Sequence, residues 1–170
     1  PEIDGLRTLA VLLVMLFHAK LEIFSGGFIG VDVFFVISGF LITSIIYKEN
    51  INNNFSYLSF YDRRIRRIFP MIFFILFITS IISFFIYSPS ELKDFAQSVV
   101  STISYSSNIY FYNKIGYFSG NLNNSPLIHT WSLAVEEQFY LFFPVILTFF
   151  CKHKEKHLKL IITILIVLSF

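Results

Sequence analysis

Apolar runs of membrane-spanning length, joined by short polar connections, set the pattern of this chain. Leu6–Ala19 is a short run extended by its flanks, and Phe28–Tyr47 is a full-length one interrupted by a single charge, Asp32. Ile68–Tyr87 carries no charge, with Pro70 in its first turn, where proline is tolerated. Pro126–Cys151 is long enough to span but holds Glu136 and Glu137, and Leu158–Phe170 opens a further run. A helix crossing a bilayer needs about 20 mostly apolar residues, so the pattern predicts four crossings and the start of a fifth. The stretch Phe95–Tyr112 is less decided. It is uncharged, yet 8 of its 18 residues are Gln, Ser, Thr or Asn, with Ser101, Ser104 and Asn108 on one helical face. Two readings fit it: an interfacial helix, or a polar helix buried against other spans.

Composition agrees with this pattern. Charged residues are 14% of the chain and hydrophobic ones 55%, where a soluble chain carries about 25% charged residues. Mean hydropathy is +0.70. Such a chain cannot cover a water-facing surface, so the expected fold is all-α, a polytopic transmembrane helix bundle. The basic residues gather at membrane boundaries and not along a polar groove, so no nucleic-acid partner is expected. The lone Cys151 rules out an internal disulfide and offers no metal framework. Glu2 and Asp4 stand where a signal peptide has its basic leader, so the first run is expected to be retained. The chain begins without Met and stops inside an apolar run. Residues 1–170 are therefore expected to be part of a longer transmembrane domain, truncated at the C-terminus.

The distribution of charge adds a topology. Loop 48–67 carries Lys48, Arg63, Arg64, Arg66 and Arg67, and loop 152–159 carries Lys152, Lys154, Lys156 and Lys159. Short loops rich in Lys and Arg stay cytoplasmic. Both do so only if Phe95–Tyr112 does not cross, which is the expected arrangement, with the N-terminus inside.

Four groups of polar residues stand out against the apolar background. Arg7 and His18 are eleven residues apart, which places them on one helical face about 16 Å apart along the axis. Ionisable groups at membrane depth are expensive and point to function; a snorkelling arginine with an interfacial histidine is the plainer reading. Asp32 lies near the same membrane surface as His18, where a carboxylate can orient an imidazole, or simply face water at a helix N-terminus. Arg63, Arg66 and Arg67 share a face and suit phosphate oxygens, although from the charge run alone a cytoplasmic topology signal with anionic lipid contact is the preferred reading. His129, Ser132, Glu136 and Tyr140 recur at spacings of three and four, a polar stripe with Glu137 about 100° off it. A buried structural network is the plainer account of that stripe. No close pair of metal ligands occurs on one helix, and Ser132 lacks a nucleophile elbow. Ser38-Gly39 reads as a place where a neighbouring backbone comes close.

Taken in order, these blocks resemble the acyltransferase-3 family of membrane-bound O-acyltransferases. The resemblance rests on Pro1–Ala10 leading to His18, on Gly30-Val31-Asp32-Val33-Phe34-Phe35 continuing to Thr43, on Phe60–Pro70, and on His129–Tyr140. It implies a bundle of about ten helices, of which this chain supplies the first four to five. It also implies transfer of an acyl group, usually acetyl, from cytoplasmic acyl-coenzyme A to a sugar hydroxyl outside. The acceptor would be a cell-envelope glycan, lipopolysaccharide O-antigen or peptidoglycan, and the location the bacterial inner (cytoplasmic) membrane.

By position, the resemblance makes Arg7 and His18 the family's arginine–histidine motif, Arg63, Arg66 and Arg67 its donor-binding arginines, and Glu136 its acidic site residue. The expected partners are acyl-coenzyme A as donor substrate, the glycan acceptor and the lipid bilayer, with no bound cofactor or metal. A C-terminal or separate partner domain stays open, and the fragment alone is expected to be inactive. In this reading His18 removes the acceptor's proton or first takes the acyl group, and Asp32 or Glu136 orients the imidazole. Arg7 and the arginine cluster handle the donor, and His129, Ser132 and Tyr140 support the site. The rival reading is a transporter that uses Arg7, Asp32, His18 and Glu136 as an ion or proton relay.

Overall fold

The computed structural model describes residues 2–117, 125–153 and 163. Every regular element among them is helical, as the apolar pattern requires. α1 (Glu2–His18) and α2 (Ile29–Ile51) flank a 3-10 turn at Glu22–Phe24, and α3 (Tyr57–Ile86), α4 (Pro89–Ile103), α5 (Ser107–Tyr117) and α6 (Thr130–His153) follow. Among the described residues α2, α3 and α6 are long and apolar enough to cross a membrane. α1 has 17 residues, at the short end of what a bilayer accepts. This is a multi-pass membrane protein of the all-α bundle class. The expected fifth span, Leu158–Phe170, lies outside the described residues.

The chain divides into two compact units, Pro1–Phe55 with Phe143–Phe170, and Ser56–Phe142. In the first, α1 and α2 pack antiparallel at backbone contact. A Cβ on Gly30 would stand 2.4 Å from the Ala10 carbonyl oxygen, and one on Gly27 2.4 Å from that of Leu13. Lipid tails give helices no hydrophobic reason to associate, so close packing over small residues has to hold such pairs. The sequence pointed to Gly39 for this role, and the structure corrects it: a Cβ there would meet nothing within 4 Å. Its neighbour Ser38 is buried instead, and accepts a hydrogen bond from Arg7 Nη2 at 3.4 Å. At the far end of α2, buried Asn50 donates to Ile46 O and, at 3.1 Å, to Thr148 Oγ1 of α6.

The second unit starts with a longer helix than hydropathy suggests. Ser56 caps α3 by accepting from the Ser59 N–H, so the connection from α2 is residues 52–56 and not 48–67. The arginine block is therefore helical. Pro70 is the fourteenth residue of α3 and not a first-turn proline; it withholds the usual helical N–H from the Arg66 carbonyl. A hydropathy window begins a span where charge ends, whereas the helix begins where a cap satisfies its first N–H groups.

Phe95–Tyr112 is neither of the two single helices considered. It breaks at Ser104–Ser106, where Tyr105 takes φ 51°, and α4 and α5 form a hairpin. Serine hydroxyls and backbone together drive the break: Ser104 Oγ donates to Val100 O at 2.9 Å and Ser106 Oγ to Ser101 O at 3.4 Å, while the Ser106 backbone N–H reaches Ser101 O at 2.8 Å. Such local bonds compete with helix propagation. Lys114 Nζ pairs with Asp94 Oδ2 at 2.8 Å, and the Tyr110 hydroxyl donates to Asp94 O at 3.1 Å, which closes the open end of the hairpin. Leu76, Phe95, Phe111 and Leu127 form the core beneath it. With 15 and 11 residues, neither arm has the length of a span. Ser101 thus belongs to one arm of the hairpin, Ser104 to the turn and Asn108 to the other arm.

A candidate donor and acid site on α3 and α6

The register of α3 on α6 sets the chemistry of the second unit. The Tyr61 hydroxyl donates to Leu141 O at 2.9 Å. One turn on, the half-buried Arg64 guanidinium lies 4.2 Å from the ring centroid of Tyr140, a cation–π stack. Tyr140 is buried, and its hydroxyl donates to Glu136 Oε1. The arginine block and the acidic stripe therefore meet, about 15 Å along α6 from its first residue.

Glu137 lies beside this chain of contacts. Its Oε1 is buried and has no hydrogen-bond partner among the described residues. Arg64 and Arg67 attract the carboxylate, and Glu136 repels it. Burial, and then the negative charge of Glu137, push the Tyr105 phenol above its ordinary range. Gln138 Nε2 donates to Tyr105 O at 2.8 Å and to Asn108 Oδ1 at 3.0 Å, while Asn108 Nδ2 returns a bond of 3.2 Å to Gln138 Oε1. Thr130, at the start of α6, is pinned by Thr102 Oγ1 at 3.1 Å and by Ser107 Oγ at 2.9 Å. The hairpin thus fixes how α6 presents its acids.

The other sequence-selected residues of this unit sit around that centre. Arg63 is exposed and donates to Ser59 Oγ at 2.7 Å. Arg66 is exposed and paired through Nε with both Asp62 oxygens at 2.9 and 3.0 Å. Arg67 is exposed while acting on Glu137. His129 falls in the turn before α6, which starts one residue later, so the helical members of the stripe are Ser132, Glu136 and Tyr140. Ser132 Oγ donates to His129 O at 3.1 Å, a main-chain bond and not a nucleophile–imidazole pair.

Arg7, His18 and Asp32 belong to the first unit. Arg7 is half-buried, its guanidinium 4.8 Å from the Phe34 ring centroid as well as bonded to Ser38. His18 ends α1 and is exposed, and Asp32 lies exposed in the first turn of α2. The helix ends that carry them are joined by residues 19–28. His18 Nδ1 is 2.8 Å from Val14 O. A carbonyl only accepts, so Nδ1 carries the proton and Nε2 of the neutral ring carries the lone pair.

A family model described as an acyltransferase domain matches residues 1–170. The chain belongs to the acyltransferase-3 family. It is 41% identical over 168 residues to the peptidoglycan O-acetyltransferase OatA of Listeria monocytogenes, covering 98% of this chain and 27% of that protein. Identity to the O-acetyltransferase OatA of Staphylococcus aureus is 38% over 169 residues, covering 98% of this chain and 28% of that protein. The acyltransferase-3 chain thus spans about a quarter of the length of these relatives. No solved structure matches it.

Two residues of this acyltransferase-3 chain at the α3–α6 contact, Arg64 and Glu137, lie outside the site residues that the sequence selects. Face-sharing selects Arg63, Arg66 and Arg67, and the stripe selects Glu136 over its neighbour. The signal for Arg64 was present, since Arg64 and Arg67 are also three residues apart. Periodicity lists faces but does not say which one another helix will cover.

Proposed function

We propose that this acyltransferase-3 chain is the first part of a membrane O-acetyltransferase. The enzyme would move an acetyl group from cytoplasmic acyl-coenzyme A to a hydroxyl of cell-wall peptidoglycan outside the bacterial cytoplasmic membrane. The family match over the whole chain carries this reading, and the relatives' names favour a peptidoglycan acceptor. The meeting of the arginine block with Glu136 and Glu137 supports it, because a polyanionic donor needs arginines that are not wholly neutralised. The hairpin supports the topology: two arms shorter than a span return the chain to the side it left, so both basic segments stay inside.

His18 is the group we assign to proton removal from the acceptor or to carrying the acyl group. The Val14 carbonyl holds Nδ1, so the ring accepts through Nε2, and an imidazole can serve as general base or as nucleophile. Asp32, on the adjoining helix end, is the residue of this unit that orients or balances the imidazolium, with Glu136 as the acid of the second unit. Arg7 and the arginines of α3 hold donor phosphates. The test is transfer of radiolabel from acetyl-coenzyme A into cell-wall glycan by membranes carrying the full-length protein. Wild type should transfer, and His18→Gln should lower the rate about 100- to 10,000-fold at unchanged protein level. Normal transfer by that variant would remove His18 from the chemistry, and no transfer by wild type would remove the proposed reaction.

A further inference from the structure

Glu137 is the least satisfied group of the second unit. A carboxylate oxygen taken out of water without a hydrogen bond is costly and calls for an explanation. The groups that act on it are Arg64 and Arg67 from α3 and Glu136 from α6, and the Tyr105 phenol between α4 and α5 feels its charge. Neither arginine closes an ion pair with it. The Arg64 guanidinium is spread over the Tyr140 ring instead. Glu137 therefore balances the charge of the two arginines at a distance and leaves their N–H groups available to an incoming anion.

An anion that docks there changes the balance. The phosphates of an acyl donor would neutralise Arg64 and Arg67, leaving Glu137 beside Glu136 and a new negative charge. A carboxylate among like charges, with part of its surface out of water, is held by protonation. We infer that Glu137 takes up one proton when the donor's phosphates dock on Arg64 and Arg67, so that it is a proton-linked partner of donor binding. The inference rests on the proposed role of the α3 arginines as the donor site. The proton comes from the aqueous phase and converts the carboxylate to a carboxylic acid; donor release returns it. Donor affinity then rises as pH falls. Glu137 acts here through the arginines, as a positioning residue.

Titration calorimetry on the full-length protein in detergent tests this, with coenzyme A as the probe in two buffers of different ionisation heat. The dependence of the measured heat on the buffer counts protons taken up. The phosphates of coenzyme A titrate themselves, so the difference between wild type and Glu137→Gln is the quantity to read. Wild type should take up close to one proton more than the variant at pH 7.5. The variant should bind roughly tenfold tighter, the equivalent of one pKa unit. Equal proton uptake by the two proteins overturns the inference and leaves the donor site standing. No binding by wild type removes both. Should the Gln variant fail to accumulate, Glu137→Asp, which keeps the carboxylate, must retain the uptake and a fall of coenzyme A affinity between pH 6 and 8. Affinity flat across that range counts against the role of Glu137.

Discussion

The α1–α2 pair and the α3–α6 contact are two solutions to one problem, holding helices together where lipid competes for every apolar surface. α1 and α2 meet backbone to backbone over Gly27 and Gly30, with almost no room for a side chain between them. α3 and α6 meet through long polar side chains: Tyr61 on Leu141 O, and Arg64 on the Tyr140 ring. The first contact is stiff and its tolerance is steric. The second depends on charge and hydrogen bonding, and one of its groups, Glu137, is left incompletely satisfied. Rigidity lies where α1 and α2 carry Arg7, His18 and Asp32, and electrostatic tension lies where the proposed donor site is.

Substitutions can break that contrast. The largest effect is expected at Gly30. A leucine there must displace the Ala10 carbonyl, which a Cβ alone would approach to 2.4 Å, and overpacking of this kind costs about 3 kcal/mol. Gly39→Leu, with open space around it, should cost almost nothing. Thermal unfolding of the full-length protein in detergent compares the two, and equal midpoints would mean that α1 and α2 do not meet as described.

At the polar contact, Arg64→Met keeps the bulk of the side chain but ends the stack on Tyr140 and removes a counter-charge of Glu137. A desolvated cation–π contact contributes about 2 kcal/mol, and the same assay reads its loss. Combining Arg64→Met with Glu137→Gln should recover part of it, because the unbalanced charge is then gone. Additive losses in the double variant would argue that the two side chains do not interact.

The Asn108–Gln138 pair is a milder test of how the hairpin holds α6. Asn108→Ala removes a reciprocal pair of bonds of 3.0 and 3.2 Å and should cost about 1 kcal/mol. It should affect acetyl transfer no more than stability predicts. A much larger loss of activity would place Asn108 in the site itself.

The smallest effect is the pH response of the α4 cap. Hydrogen bonds from the Ser88 side chain and backbone hold the exposed Glu91 carboxyl below its ordinary range. A lowered folded-state pKa means the stabilisation is fully present above the ordinary glutamate range, near pH 4.3. It is lost as pH falls through the folded value. Amide exchange in the first turn of α4 should speed up over that acid range in wild type, and show no such step in Glu91→Gln. An identical profile in both would show that the cap does not titrate.

Much of this was legible in the sequence. Helical class and membrane location follow from run length and the scarcity of charge, because a bilayer tolerates no unpaired backbone and few exposed ions. The four blocks carrying Arg7, His18, Asp32, the arginines and the stripe could be read residue by residue, since family motifs are local. Boundaries were less legible. Hydropathy placed the start of α3 at Ile68 and left Pro70 in a first turn, where the helix begins at Tyr57. A charged, capped amphipathic turn looks like a loop when only apolarity is counted.

Sequence alone therefore determined which residues are chemically capable and which segments are helices. Tertiary structure decided which of them meet. The 3.6-residue period groups Arg63, Arg66 and Arg67 on a face, yet the register of α3 on α6 turns Arg64 onto Tyr140. It likewise leaves Glu137 within the charge of Arg64 and Arg67, whereas Glu136 is held by the Tyr140 hydroxyl. The hairpin broken by local serine bonds was closed by Lys114 and Tyr110 on Asp94, and α1 was set on α2 by the close approach of Gly30 to Ala10, contacts between residues well separated in sequence. Periodicity is a property of one helix, whereas burial, charge compensation and steric room are properties of two.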